Sequence, residues 1–270
     1  MVVQHAANVP PVPDAVPAYW RFHEAVTRAR LLAWLPSGQR LLIDVSGPNS
    51  DSAKVSAMAG HRVIRVLDEP PGTSPAETSS VPMAPSVPLE RANGANGTFR
   101  TVVGNASTLD FLPDGCADGV IACDRALSTH LAAEYMVSSI ARVLSPRGRV
   151  IACVDSLVLG LAMLAGQSRW AHLADLPQAD VVLVPWPDGT ISRCYATDQV
   201  HELFDGAGLT VNWVRPLTVF SPHVVMRALR QDPGNLARLV RAELSSRPGR
   251  ESPDEAAGSA LMVAASKAVP

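Results

Sequence analysis

The chain is poor in the residues that mark several functional classes. It has 4 cysteines, Cys116, Cys123, Cys153 and Cys194, and no two of them form a CxxC pair. A zinc site needs Cys or His in pairs at ligand spacing, so no metal site is expected and the thiols read as structural. Charged residues make up 18% of the chain and the net charge is −2. With no basic field, neither nucleic acid nor an anionic membrane is an expected partner. No apolar run reaches transmembrane length, and Met1 to Pro17 lacks the basic-then-apolar build of a signal peptide, so a cytoplasmic location is expected. Aromatics are scarce at 5%, but the hydrophobic fraction of 47% is ample for a core. At 270 residues one domain suffices.

Proline is unevenly spread. Residues 1–13 read as an irregular arm, and residues 14–270 as a single domain. Within it, 69–98 is a long Pro-rich loop with Pro70, Pro71, Pro75, Pro82, Pro85 and Pro88, where at most one helical turn survives near Pro88–Ala92. Segments 156–196 and 221–257 read as substrate-side or peripheral insertions. A first helix capped by Asp14 would place Tyr19, Phe22, Val26, Ala29 and Ala33 on one face.

The organising stretch is Leu41-Leu42-Ile43-Asp44-Val45-Ser46-Gly47-Pro48-Asn49-Ser50, an apolar strand ending in an acid and a turn, with a helix over 51–60 behind it. A strand feeding a loop and a helix N-terminus is the front end of a nucleotide-type pocket in an open α/β sheet. A second strand ends in Asp68, where a carboxylate can accept both ribose hydroxyls; a solvated strand-end acid is the plainer alternative. Further strands fall at 99–103, 118–123 and 149–154, with a helix over 132–144. A hairpin is predicted from 181–184 and 190–195, then a helix from Thr197, a strand near 209–213, two helices and a last strand, 259–265. This alternation predicts a Rossmann-like, doubly wound, mainly parallel sheet.

Asn105-Ala106 through Leu112-Pro113-Asp114-Gly115, the strand Asp118-Gly119-Val120-Ile121, the turn Arg142-Val143-Leu144-Ser145-Pro146-Arg147-Gly148, and Ala207-Gly208-Leu209 occur in order. In that order they resemble a class I S-adenosylmethionine-dependent methyltransferase of the small-molecule, type 11-like kind, over about residues 15–266. The resemblance implies a seven-stranded sheet with an antiparallel last strand, S-adenosylmethionine as cofactor, and methyl transfer to O or N of a small-molecule acceptor. It implies that Asp44, Val45, Ser46 and Gly47 cradle the methionine end and that Asp68 takes the ribose. Asn105 and Ala106 would meet the adenine, and Asp124 and Arg125 would face the cofactor and the substrate mouth. His130, in the loop after the fourth strand, is the candidate general base, with a plain helix-start histidine as the alternative. Tyr19, Trp20, His23, Trp170 and Trp186 are either core or the roof of the pocket.

Two positions depart from the family pattern. The glycine-rich loop is reduced to Ser46-Gly47-Pro48-Asn49-Ser50, where a non-glycine residue at positive φ costs on the order of 1 kcal/mol or more. Asn105 replaces an acid and forgoes charge assistance of about 1 kcal/mol. A methyltransferase-fold protein without methylation activity, serving as a binding or assembly partner or in other chemistry, is therefore the second reading. A nicotinamide-dependent oxidoreductase is the third, because the loop fits the dinucleotide fingerprint less well still. Acceptor identity and oligomeric state are not written in the sequence.

Overall fold

The structure, a computed structural model, describes residues 15–68, 91–93, 97–175, 181–186, 189–245 and 258–268. The N-terminal arm, Asp14, nearly all of the Pro-rich loop and residues 246–257 lie outside it. The fold is organised by strands that are apolar on both faces. In β1 (Leu41–Asp44), Leu42 belongs to one core and its neighbour Ile43 to the other. Val120 and Ile121 divide in the same way on β5 (Ala117–Ala122), and so do Val150 and Ile151 on β6 (Leu144–Ser156). Because successive side chains of a strand point to opposite faces, an unbroken apolar run needs a layer of helices on each side.

On one face α1 (Ala15–Trp34), α2 (Ser52–Met58), α8 (Pro222–Gln231) and α9 (Asn235–Ser245) contribute to the layer. The other face is covered by α4 (Ala133–Val143) and α7 (Thr197–Asp205). Tyr19, Phe22 and Val26 of α1 are buried as expected. Ala33 is exposed, and the seam runs on through the bulkier Leu31 and Trp34. Gly119 makes room for that end: a Cβ there would lie 2.9 Å from Leu42 Cδ2 and 3.2 Å from the Trp34 ring.

The sheet adds β2 (Arg62–Leu67), β3 (Arg91–Asn93), β4 (Thr98–Val103), β9 (Leu209–Leu217) and β10 (Ala260–Lys267), in the order β3-β4-β2-β1-β5-β6-β10-β9. Pairing is parallel from β4 to β6, and β10 is antiparallel to both β6 and β9. These are the seven strands the sequence foretold, with three more. One is β3, antiparallel to β4, at a place where the sequence allowed only a helical turn. The other two form the hairpin that the sequence also predicted, β7 (Val182–Pro185) and β8 (Ile191–Tyr195). Strand β8 runs parallel to the end of β6 through Asp155↔Cys194 and Ser156↔Tyr195.

Between β5 and α4 lies the short α3 (Ala126–Thr129), which the sequence reading took for loop. Residues 156–174 form α5 (Leu157–Gly166), capped by the Ser156 hydroxyl accepting from the Leu159 amide at 3.1 Å, and α6 (Trp170–Asp175). No described helix is long and apolar enough to cross a membrane.

Candidate cofactor and acceptor site

Strand β1 has β2 on one side and β5 on the other, so the crevice at their carboxyl ends is the topological switch point of the sheet. Asp44, Val45 and Ser46, at the end of β1 beside it, are all buried. Asp44 is fully buried; its carboxylate accepts from the Ser46 amide at 3.0 Å and from the Ser52 hydroxyl at 2.7 Å. Burial pushes its pKa up, while the Ser46 and Ser52 bonds and the nearby Arg65 oppose the shift. Val45 donates its amide to the Ile121 carbonyl at 2.8 Å, and the Ser46 hydroxyl accepts from the Cys123 amide at 2.9 Å. These bonds lock the β1 turn to the end of β5.

Gly47 is the left-handed residue of this turn, with φ 89° and open space where a Cβ would stand. No other residue from 46 to 50 has positive φ, so the strain expected of a glycine-poor loop does not arise. The loop is shaped by a side chain instead. Arg65, paired in register with Asp44, is 7% exposed in the middle of β2. Its Nη2 donates to the carbonyls of Gly47 at 3.2 Å, Pro48 at 3.4 Å and Ser50. A cation among the apolar residues of a parallel strand, opposite the strand-end acid, was the signal for this clamp.

Asp68 follows β2 with its side chain half exposed. One carboxylate oxygen accepts from the Ala106 amide at 2.8 Å; the other lies 3.9 Å from His130 Nε2. His130 Nδ1 is 3.0 Å from the Ser107 hydroxyl. The structure therefore brings Asp68, Ala106 and His130 together and joins them through Ser107. Asn105 is turned onto its own chain, its side-chain oxygen accepting from the amides of Ser107 at 2.9 Å and Thr108 at 3.2 Å.

A second cluster sits at the ends of β5 and β6. Asp124 and Arg125 both adopt left-handed backbone, φ 55° and 64°. For residues other than glycine this conformation costs about 1–2 kcal/mol each, which local bonds must offset. Arg125 Nε reaches both oxygens of Asp155, at 3.0 and 2.9 Å, and its guanidinium stacks on Trp186, 3.9 Å from the ring centroid. Asp155 is 2% exposed; the Ser192 hydroxyl donates to it and its amide donates to the Ser128 hydroxyl at 2.7 Å. Burial raises its pKa, against the pull of Arg125 and Ser192.

Asp124 is exposed by area, yet the surrounding protein withdraws enough water to raise its pKa; Glu24 and Asp44 add to this and Arg125 opposes it. His23 of α1, 8% exposed, is held down to about 4 by burial and by Arg125, so it is neutral at pH 7. Asp155, Ser192 and the clamp residue Arg65 were not among the sequence candidates. Asp155 carries the same signal as Asp44, an acid closing an apolar strand. Ser192 could be found only once the hairpin was seen to lie against β6. Among the described residues no cluster of three or more His, Cys, Asp or Glu is placed to hold a metal.

No family profile matches the chain, and no curated protein does. Solved structures match over nearly its whole length. A SAM-dependent methyltransferase from Methanosarcina mazei is similar at 14% identity and a TM-score of 0.54, covering 89% of this chain and 98% of its own. The 1,6-didemethyltoxoflavin-N1-methyltransferase of Burkholderia thailandensis, solved with 1,6-didemethyltoxoflavin and S-adenosylhomocysteine, is 18% identical with a TM-score of 0.53, covering 93% and 81%. An S-adenosylmethionine-dependent methyltransferase from Mesorhizobium loti matches at 14% identity and a TM-score of 0.50, over 91% and 100%. At these identities the likeness establishes the fold, that of the class I S-adenosylmethionine-dependent methyltransferases.

Proposed function

We propose that this protein transfers a methyl group from S-adenosylmethionine to oxygen or nitrogen of a small-molecule acceptor. The observation that carries the reading is Asp68. It stands at the end of β2 beside the switch point, one oxygen fixed by the Ala106 amide and the other without a hydrogen bond among the described residues. That is the arrangement a ribose diol requires. The open side of Gly47 leaves room for the methionine end, so the residues present fit the cofactor. When bound, S-adenosylmethionine supplies an electrophilic methyl on a sulfonium.

The protein's part is positioning and exclusion of water. Arg65 and Asp44 set the β1 turn, Asp68 orients the ribose, Ala106 borders the adenine, and Asp124 with Arg125 faces the acceptor. His130 belongs to the cofactor side in this reading, steadying Asp68, because its contacts are Ser107 and Asp68 rather than the Arg125 cluster. One observation favours the reading without methylation: the Asn105 side-chain oxygen is already engaged by two backbone amides. Calorimetric titration with S-adenosylmethionine and S-adenosylhomocysteine separates the two. Saturable binding of both supports methyl transfer, and binding of neither removes it.

A further inference from the structure

The cluster at the ends of β5 and β6 contains two donors with no acceptor among the described residues. Arg125 engages Asp155 through Nε alone. Its Nη2 is sealed from solvent without an acceptor among the described residues, and so is the indole Nε1 of Trp186. Because the guanidinium stacks on the indole, with its carbon 3.9 Å from the ring centroid, the two orphaned groups lie within about a ring's width of each other. A buried donor left unmatched costs roughly 1–3 kcal/mol, so a pair on contacting side chains marks a place where an acceptor atom is missing.

The neighbours fix the charge of that atom. Asp155 already neutralises Arg125, and the charge of Arg125 also acts on Asp124, which Glu24 and Asp44 press in the opposite sense. His23, on which Arg125 also acts, contributes no positive charge at neutral pH, and neither does the Cys194 thiol. A carboxylate entering here would be a buried anion without a free cation, which is strongly unfavourable. A neutral oxygen accepts both N–H groups without importing charge.

We propose that this cluster is a subsite for an uncharged carbonyl oxygen (amide, lactam or ketone) on a small molecule, with Arg125 Nη2 and Trp186 Nε1 as its two donors. The assignment rests on the methyl-transfer reading only in identifying the bound molecule as the acceptor. Access does not require the main sheet to open. Trp186 is partly exposed and follows β7, and its hairpin is tied to β6 through two residue pairs.

The test uses the full chain labelled with 15N-tryptophan, with and without S-adenosylhomocysteine, titrated at pH 7.5 with benzamide and separately with benzoate. Trp186→Phe assigns the Trp186 indole resonance and removes the donor while keeping an aromatic ring under Arg125. This variant avoids the uncompensated Asp155 charge that an Arg125 substitution would leave. Benzamide is expected to move the Trp186 indole N–H downfield and saturably, and Trp186→Phe to weaken benzamide binding about three- to tenfold, the worth of one neutral hydrogen bond. Benzoate is expected to bind more weakly than benzamide. An unmoved Trp186 resonance overturns the subsite, and tighter benzoate overturns its neutral character. If the indole responds while S-adenosylhomocysteine shows no heat of binding, the subsite stands and the methyl-transfer reading falls. Heat of binding with a silent indole is the reverse outcome.

Discussion

Replacing Arg65 by methionine tests the idea that a side chain does here what glycines do in a glycine-rich cofactor loop. Methionine keeps most of the aliphatic volume at a site that is 7% exposed, so cavity formation is a minor term. The guanidinium Nη2 faces three carbonyls, those of Gly47, Pro48 and Ser50, but carries two hydrogens and satisfies at most two at a time. Hydrogen bonds to a charged group are worth roughly 1.5–3 kcal/mol each. Pro48 is exposed, so water can take over part of that role, and the net loss should be about 2–4 kcal/mol.

Arg65 also favours the ionised form of Asp44, so its removal adds to the burial that already raises this carboxyl. For a domain of this size the loss corresponds to a melting temperature lower by about 5–12 °C. Cofactor affinity should fall as the 47–50 turn loosens. Differential scanning calorimetry with and without S-adenosylhomocysteine reads both effects. A variant that melts with the parent and binds equally well would refute the clamp.

Four further outcomes follow from the site. Acidification should destabilise the protein through His23: the unfolded chain takes a proton near pH 6.5, whereas the folded site resists until about 4. Its contribution is complete above pH 6.5 and diminishes as pH falls, by about 2 kcal/mol at pH 5. Asp44 and Asp155, whose carboxyls are raised, act in the opposite sense, so the comparison that isolates His23 is the urea midpoint of His23→Leu against the parent at pH 7 and 5. Asp68→Ala should weaken S-adenosylhomocysteine binding at least tenfold by calorimetry, from the loss of charge-assisted bonds of about 1.5–3 kcal/mol each; an unchanged affinity removes Asp68 from the site. Asn105→Asp should raise stability by about 0.3–1 kcal/mol in thermal melts, since the Ser107 and Thr108 amides would then meet a charge; a lower melting temperature would count against that account. Arg147 has φ 66° near the start of β6, so Arg147→Gly should add about 0.5–1 kcal/mol, read from the urea midpoint.

The sheet was legible because its evidence is local and repeated. Leu41–Asp44, Ala117–Ala122 and Val150–Val154 are apolar on both faces, which leaves little choice but a sheet between two helical layers. Strand β3 was not legible, since Arg91–Asn93 carries no apolar pattern and is a strand only because β4 offers a free edge. The site divides in the same way. Asp44 and Asp68 were named as candidates from their positions at strand ends. The roles of Arg65, Asp155, Ser192 and Trp186 depend on which strand lies beside which, and register is not written in any one segment.

The β7–β8 hairpin has a consequence for how this protein could change over time. It supplies Trp186 and Ser192 to the Arg125–Asp155 cluster, yet its backbone pairing with the sheet is two residue pairs at the far end of β6. The residues that hold the loop after β1 lie on β1, β2, β5 and α2, none of which the hairpin interrupts. Lengthening or shortening the hairpin at its tip, between Pro185 and Ile191, would therefore change what stands beside Arg125 and leave the buried base of the hairpin in place. Val182, Val184, Cys194 and Tyr195 are buried and must be kept, so a library randomised over residues 185–191 alone would vary the tip without reopening the problem of how the chain folds.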